Sequence, residues 1–205
     1  MKFLLSLVIA AFLVSFGPSA WAIHIPNSEI QAFASYSWIA STGPEKTLDE
    51  DTSPYNYWVG TDNLQLGDVD WLAFKFANQY SISSIAFYQL AENPIKYFMG
   101  ELEIQISQDS TDGSDGNWFQ VDFVPGTFSP DYTPFTRYLN TQPTSWVRLW
   151  MTYEGYGASG VSPAFYLNEI DFYGNPAPVP EPATILLLAS GLVGLVGLRR
   201  KFRKN

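Results

Sequence analysis

Carboxylates are the most numerous side chains in this sequence that could do chemistry. The chain has 20 aspartate and glutamate residues, no cysteine and one histidine, His24. The absence of cysteine excludes disulfide bonds, thiolate metal sites and cysteine nucleophiles. A lone histidine argues against a Ser-His-Asp triad or a polyhistidine metal site. Because carboxylate oxygens suit calcium, the residue types favour a hard divalent cation over a transition metal.

One acidic cluster lies in a glycine-rich stretch and consists of Asp109, Asp112, Asp115 and Asn117. It resembles a calcium loop superficially, but the D-x-D-x-D-G spacing of an EF-hand and its later glutamate are missing. Aspartate and asparagine also stabilise turns, because their side chains accept hydrogen bonds from nearby backbone groups. The sequence therefore favours a hairpin turn at this cluster.

Three tyrosines in predicted loops, Tyr55, Tyr153 and Tyr156, could form a platform for a sugar. Carbohydrate sites combine an aromatic stacking face with a few polar groups. Aromatic residues are also the ordinary content of a β-sandwich core, so packing remains an alternative for each of them. Paired carboxylates could instead serve a glycosidase, but the acidic clusters all fall in predicted turns.

Short segments with a period of two must position these side chains. Leu102, Ile104 and Ile106 alternate with polar residues, which is typical of a half-buried β-strand. The same alternation occurs at residues 71–76, 85–87, 119–123, 146–151 and 166–173. Turn-rich stretches separate these segments, and no long segment has a helical period. The pattern predicts an all-β fold, an antiparallel sandwich or barrel.

Both ends of the chain carry apolar segments. Lys2, an apolar stretch over residues 3–16 and the small-residue site Ala20-Trp21-Ala22 form a secretory signal peptide that ends at Ala22. Near the C-terminus, Ala183–Leu198 contains no charge and is followed by five basic residues within 199–205. As a helix this segment is roughly 24 Å long, and it can span a bilayer of ~30 Å with thinning and snorkelling. The basic tail should then remain cytoplasmic.

The residues around this second segment resemble a known sorting signal. Val179, Pro180, Glu181 and Pro182, then the apolar segment, then Arg199-Arg200 are similar to the PEP-CTERM signal of Gram-negative bacteria. The resemblance implies recognition and cleavage by an exosortase-type sorting enzyme. The protein would pass through an inner-membrane intermediate to the cell surface or extracellular matrix. A plain stop-transfer anchor is the alternative.

The part between these two signals is strongly acidic. Nineteen of the 20 acidic residues but only five of the 11 basic residues lie between Ile23 and Pro180, which gives that part a net charge of −14. Such a surface repels anionic polymers and headgroups. Nucleic acid is therefore excluded as a partner, because its binding requires a basic surface.

Several segments between Ile30 and Gly174 resemble a discoidin-like domain, also known as the coagulation factor 5/8 C-terminal domain, a galactose-binding-like jelly-roll. They are the loop with Asp51, Asn56 and Trp58, and residues 71–77, 104–118, 146–149 and 167–174. Thr52 stands where the family has a loop glycine, and Lys75 where it has a strand aspartate. The histidine and arginines of the fucose-binding members are absent.

The resemblance also implies a structural cation. In the family the early aspartate loop and the glutamate of the last strand converge on one calcium ion. Here that places Asp51, Ser53, Asn56 and Glu169 together, with backbone carbonyls completing the ligand shell. The alternative is a solvated acidic loop with Glu169 paired to Arg148. A further structural expectation is that Trp146 and Trp150 flank Arg148 in a cation–π stack.

Together these observations predict five parts. Residues 1–22 are a signal peptide, 23–174 an antiparallel jelly-roll β-sandwich, 175–182 a Pro-rich linker with the sorting motif, 183–198 a transmembrane helix and 199–205 a basic cytoplasmic tail. The predicted function is non-catalytic carbohydrate binding at the cell surface or in the matrix. The alternatives are a structural matrix component without a ligand and, less favoured, a glycosidase.

Overall fold

The computed structural model describes residues 22–37, 40–53, 56–61, 63–88, 100–125, 135–154 and 164–178. In this part of the chain the fold is all-β, as predicted, with only three short 3-10 helices, Asn27–Glu29, Ala40–Thr42 and Pro44–Thr47. The strands are β1 (Ile23–His24), β2 (Ile30–Ala34), β3 (Trp58–Val59), β4 (Val69–Tyr88), β5 (Gly100–Ser107), β6 (Phe119–Val124), β7 (Phe135–Tyr138), β8 (Thr144–Tyr153), β9 (Tyr166–Leu167) and β10 (Glu169–Pro176).

Strand β4 organises the sheet because it belongs to both halves of it. Its first half pairs with β2 and β8, and β8 continues to β5 and β6. Its second half pairs with β10 and β7, and β1 adds to β10. All these pairings are antiparallel, and the register of β4 against β8 shifts between Lys75 and Tyr80. The structure thus joins into one strand the two segments that the sequence predicted at 71–76 and 85–87.

The two halves of the sheet face each other across an aromatic core. Phe172 of β10 contacts Phe74 and Phe76 of the first half of β4 with ring centroids 4.9 and 5.2 Å apart, both in edge-on geometry. A residue of the second half therefore packs against the first half, which is the arrangement of a sandwich. Each fully buried phenylalanine contributes roughly 1.5–3 kcal/mol through removal of its surface from water. The alternating pattern read from the sequence supplies this core.

A buried arginine attaches the β5–β6 hairpin to the sheet. The Arg148 guanidinium lies 4.0 Å from the ring centroid of Trp118 and 4.7 Å from that of Trp150. It donates hydrogen bonds to Gln105 Oε1 and to the carbonyl oxygen of Gly113. The predicted stack is therefore correct for Trp150 and wrong for Trp146. The ring of Trp146 is buried beside Phe33, with ring centroids 5.2 Å apart, and Trp118 supplies the second ring against Arg148 in its place.

The two apolar termini stand mostly outside this description. The signal-peptide prediction rests on residues 1–22 and the predicted transmembrane helix on 183–198, of which only Ala22 is described. No helix within the described ranges is long and apolar enough to cross a membrane.

Candidate functional site

A short second sheet brings the acidic loop to the last strand. Strand β3 pairs with β9 so that Trp58 stands opposite Leu167. The residue after β9, Asn168, donates from Nδ2 to the carbonyl oxygens of Ser53 (3.0 Å) and Asn56 (2.9 Å). These contacts join positions more than 100 residues apart in the chain. They place the loop that ends at Asn56 directly beside Glu169, the first residue of β10, as the family resemblance implied.

Glu169 is the buried acid of this site, with 3% of its surface exposed. Its Oε2 accepts a hydrogen bond from the backbone N–H of Glu50 (3.0 Å), and its Oε1 accepts one from Asn27 Nδ2 (3.2 Å). Burial, helped by the nearby carboxylates of Asp171 and Asp49, raises the pKa of Glu169 to about 8. The alternative pairing of Glu169 with Arg148 is not formed, because Arg148 is engaged by Gln105 and Gly113.

The predicted loop ligands do not all turn toward Glu169. Asp51 Oδ1 accepts a hydrogen bond from the Ser53 N–H (2.9 Å), and both side chains are exposed. That hydrogen bond lowers the pKa of Asp51. Asn56, in contrast, is buried, and its Nδ2 donates to Asp49 Oδ1 (2.6 Å) and to the carbonyl oxygen of Asp51 (2.9 Å). The structure thus gathers Asn56 with Asp49 and leaves the Asp51 and Ser53 side chains at the surface.

Asp49 and Asn27 complete this cluster and were not among the predicted ligands. The backbone conformation explains why Asp49 was missed. Glu50 has a positive φ of 62°, so it, and not Thr52, occupies the conformation that glycine favours in such a loop. Because a glutamate with positive φ is uncommon, sequence spacing did not mark the Asp49-Glu50 pair as the start of the loop.

The atoms that this cluster could offer to a cation are oxygens. The donors are carboxylate, amide and carbonyl oxygens, which is the set that calcium prefers. Asn27 Oδ1 is buried and has no hydrogen-bond partner among the described residues, so the described part of the site holds an unsatisfied acceptor. No three histidine, aspartate or glutamate side chains among the described residues converge closely enough to hold a metal. Carbonyl and amide oxygens would therefore have to supply much of the ligand shell. The oxygen types therefore fit calcium, with Glu169 and Asp49 as the carboxylates and Asn27 Oδ1 as an open acceptor.

The raised pKa of Glu169 predicts a pH dependence in calcium-free buffer. The folded state holds the Glu169 proton more tightly than the unfolded state, so stability should fall as pH rises from the ordinary glutamate pKa through about 8. Glu169→Gln cannot ionise and should lose this dependence. We expect the variant to gain at least about 1.4 kcal/mol over wild type between about pH 5 and about pH 8.5. Urea unfolding with a chelator present measures it.

A control distinguishes this effect from a general loss of charge. Glu45→Gln removes a carboxylate from the exposed surface of a 3-10 helix and should leave the pH profile of unfolding unchanged. Parallel profiles for wild type and Glu169→Gln would contradict the assignment.

The predicted sugar platform is only partly described. Tyr55 and Tyr156 lie outside the described residues. Tyr153 was expected in a loop, but it is the last residue of β8 and is 8% exposed. Its backbone pairs with Gly100 of β5, and its N–H donates to the carbonyl oxygen of Asp68. Strand β8 therefore extends two residues beyond its predicted end at Met151. This extension places the Tyr153 ring in the core.

The cluster at residues 109–117 is a turn, as predicted. Asp109 accepts hydrogen bonds from the backbone N–H (2.8 Å) and the Nδ2 (2.6 Å) of Asn117. Asp115 accepts from the backbone and side chain of Thr111. These bonds lower the pKa of both aspartates. Their partners are local donors, and the carboxylates serve the turn.

One sequence motif is matched by a known family. Residues 178–201 match the PEP-CTERM protein-sorting motif, which confirms the C-terminal signal. No curated protein matches the sequence significantly.

Solved structures match the rest of the chain in fold. One is the family 32 carbohydrate-binding module of NanJ from Clostridium perfringens in complex with galactose. It is 16% identical, with 75% of this chain and 99% of that chain covered and a TM-score of 0.57. Another is a chitosan-binding module of a chitosanase/glucanase from Paenibacillus sp. IK-5, with 18% identity, 74% and 100% coverage and a TM-score of 0.57.

A third neighbour is a family 32 module from Clostridium perfringens in complex with GalNAc-β-1,3-galactose. It is 15% identical, covers 73% of this chain and 99% of that one, and has a TM-score of 0.56. At these identities the similarity shows the fold alone: the chain has a β-sandwich like that of these modules, and residues 178–201 match the sorting motif.

Proposed function

We propose that this chain is an exported, non-catalytic protein that binds carbohydrate at the cell surface or in the extracellular matrix. The observation that carries the proposal is the fold, which matches carbohydrate-binding modules along almost their whole length. Two of those structures hold galactose or a galactose-containing disaccharide. The sorting motif at 178–201 supports export. The acidic surface favours a neutral or basic glycan over an anionic one, because like charges repel.

The comparisons favour binding over catalysis. Part of a family 89 glycoside hydrolase also resembles this chain, but the matching part is only 16% of that enzyme. Several structures that are matched along almost their whole length are carbohydrate-binding modules. Hydrolysis of a glycoside would require two carboxylates placed on either side of the bond in an open cleft. Glu169 does not meet this requirement, because it is buried and already accepts hydrogen bonds from Glu50 and Asn27.

Binding is tested with immobilised glycans. We expect the full-length chain to be retained by at least one glycan that ends in galactose or N-acetylgalactosamine, or by chitosan oligomers. A detergent without a sugar headgroup is needed to keep the apolar segment in solution. An excess of the free sugar should release the protein. Retention by none of these glycans would overturn the proposal and favour a structural matrix component without a ligand.

We also include one structural calcium ion in the proposal. Glu169 and Asp49 would supply carboxylates, and Asp51 would contribute its backbone carbonyl, since its side chain is turned outward. The Ser53 carbonyl already accepts hydrogen bonds from the Asn56 N–H and from Asn168 Nδ2, so Ser53 would not be a ligand. A half-turn of the Asn56 amide would exchange Nδ2 for Oδ1 and add another oxygen. The ion would neutralise the buried carboxylate and fix the early loop to β10.

Calcium should raise the thermal unfolding midpoint of wild type, because a ligand that binds only the folded state stabilises it. Asp49→Ala should weaken calcium binding by at least about tenfold, and Asp51→Ala should have a smaller effect. Asp112→Ala, in the hairpin turn, is the matched acidic control and should respond like wild type. Differential scanning calorimetry with and without calcium measures this. Equal calcium shifts in wild type, Asp49→Ala and Asp51→Ala would remove the ion from the proposal.

A further inference from the structure

A groove separate from the Glu169 site lies where β5 ends and β6 begins. Its volume is about 570 Å³, within the range of small-molecule sites. Ile106 and Val121 form part of its apolar lining, and Phe119 stands beside them. The turn at 109–117 borders one side, and the residues just before β8 border the other.

Phe119 is the unusual residue of this groove. It pairs with Ile106 across the hairpin, yet 65% of its surface is exposed. Strand β6 pairs only with β5 in the described part of the sheet, so no neighbouring strand there covers this ring. A large aromatic residue that remains exposed in a concave site is available to stack on an apolar ligand face.

The polar groups of the rim are neutral amides. Asn140 and Gln142 are exposed, and neither side chain bonds to another residue in the described ranges. Each amide offers donors and an acceptor together, which matches the adjacent hydroxyls of a sugar. Among the described lining residues there is no lysine or arginine, and the one carboxylate, that of Asp109, is engaged by Asn117 and Ser107. This chemistry does not attract an anion.

Both walls of the groove are held in place. On one side Asp109 binds Asn117 through two hydrogen bonds. On the other side Thr141 Oγ1 accepts a hydrogen bond from the Ile82 N–H (2.7 Å), which attaches this segment to β4. A site whose walls do not have to be ordered on binding loses less conformational entropy, so its contacts contribute more to affinity.

We infer that this groove binds a neutral glycan, with Phe119 stacking on the face of a sugar ring and Asn140 and Gln142 bonding its hydroxyls. The inference rests on the proposed carbohydrate binding and assigns a place to it. Within the described part of the chain, three features support a sugar over a purely apolar ligand: an open aromatic ring, two amides without partners, and no charged group free to bind a counterion.

The test compares variants of the full-length chain on the same galactose- and N-acetylgalactosamine-terminated glycans and chitosan oligomers. Phe119→Ala should weaken binding by about five- to tenfold, and Phe119→Trp should restore it. Gln142→Ala should weaken it by a smaller factor. Tyr138→Ala is the matched control, because Tyr138 is an aromatic residue of β7 that is 85% exposed and does not line the groove. Circular dichroism verifies that each variant is folded.

The outcomes separate this inference from the proposed function. Wild-type binding that Phe119→Ala and Gln142→Ala leave unchanged would overturn the groove and keep carbohydrate binding. The absence of wild-type binding to every glycan would overturn both. A change from dimer to monomer in Phe119→Ala, with glycan binding intact, would assign the ring to self-association and would also overturn the groove.

Discussion

Replacing Arg148 by alanine is expected to lower the free energy of unfolding by about 4 kcal/mol. The guanidinium is 6% exposed and lies against the rings of Trp118 and Trp150. Desolvated cation–π contacts contribute about 2 kcal/mol, and alanine would also leave Gly113 O and Gln105 Oε1 without this donor. No carboxylate in the described ranges forms an ion pair with Arg148, and only the charge of Glu103 acts on it from nearby, so these contacts are the main compensation for burying the charge. Accordingly, burial lowers the pKa of Arg148 to about 10.

A second arginine provides the control. Arg137 forms a two-bond pair with Asp122, at 2.6 and 2.7 Å, on the partly exposed surface between β7 and β6. Since solvent screens this pair, Arg137→Ala should cost only about 1 kcal/mol. Arg148→Lys should fall between the two, because an ammonium group keeps the charge and loses the planar fork. Urea unfolding of the three variants is the measurement. An Arg148→Ala loss no larger than that of Arg137→Ala would contradict the anchoring role.

Glu181→Ala is expected to stop sorting and hold a longer form of the protein in the inner membrane. The last described hydrogen bond before the motif is that of the Ala177 N–H to Gln79 O (2.8 Å), and Pro178 is exposed. Residues 178–182 contain three prolines, which favour an extended, semi-rigid chain. A membrane-embedded sorting enzyme could therefore reach the motif without unfolding the sandwich.

Cell fractionation followed by intact-mass measurement tests this expectation. The wild-type protein recovered from the surface or matrix should lack residues 183–205, and Glu181→Ala should retain them in the membrane fraction. Glu45→Ala, which removes an exposed acid from the folded domain, should be sorted like wild type. Exported wild-type protein that still carries residues 183–205 would contradict cleavage and favour a retained anchor.

The described part of the domain begins at the predicted cleavage site after Ala22. Strand β1 begins at Ile23, the first residue that would remain, and pairs with Gly174 of β10. His24 Nε2 lies 3.1 Å from Asp171 Oδ1 in the same pairing. The chain after the signal therefore contributes to the sheet at once. The N-terminal end of the domain therefore lies next to β10, which is followed by the sorting motif.

The class of fold, most of the strands and the sorting signal could be predicted from the sequence alone. These depend on local properties, since alternating side chains place one face of a strand in the core whatever its partner. The sequence also indicated that Asp109 and its neighbours form a turn, because their hydrogen bonds close within nine residues. The signal at the C-terminus is likewise a contiguous pattern of proline, apolar and basic residues.

The side chains that meet at the acidic site could not be predicted from the sequence, because they are brought together by tertiary contacts. Glu50 has a left-handed backbone conformation, and its N–H donates a hydrogen bond to Glu169, 119 residues further along the chain. No local sequence pattern marks this contact. Contacts between segments far apart in the chain also bury Tyr153, whose strand pairs with β5, and place Trp118 against Arg148. Register and burial are set by contacts between distant strands, and a sequence pattern restricts those contacts without specifying them.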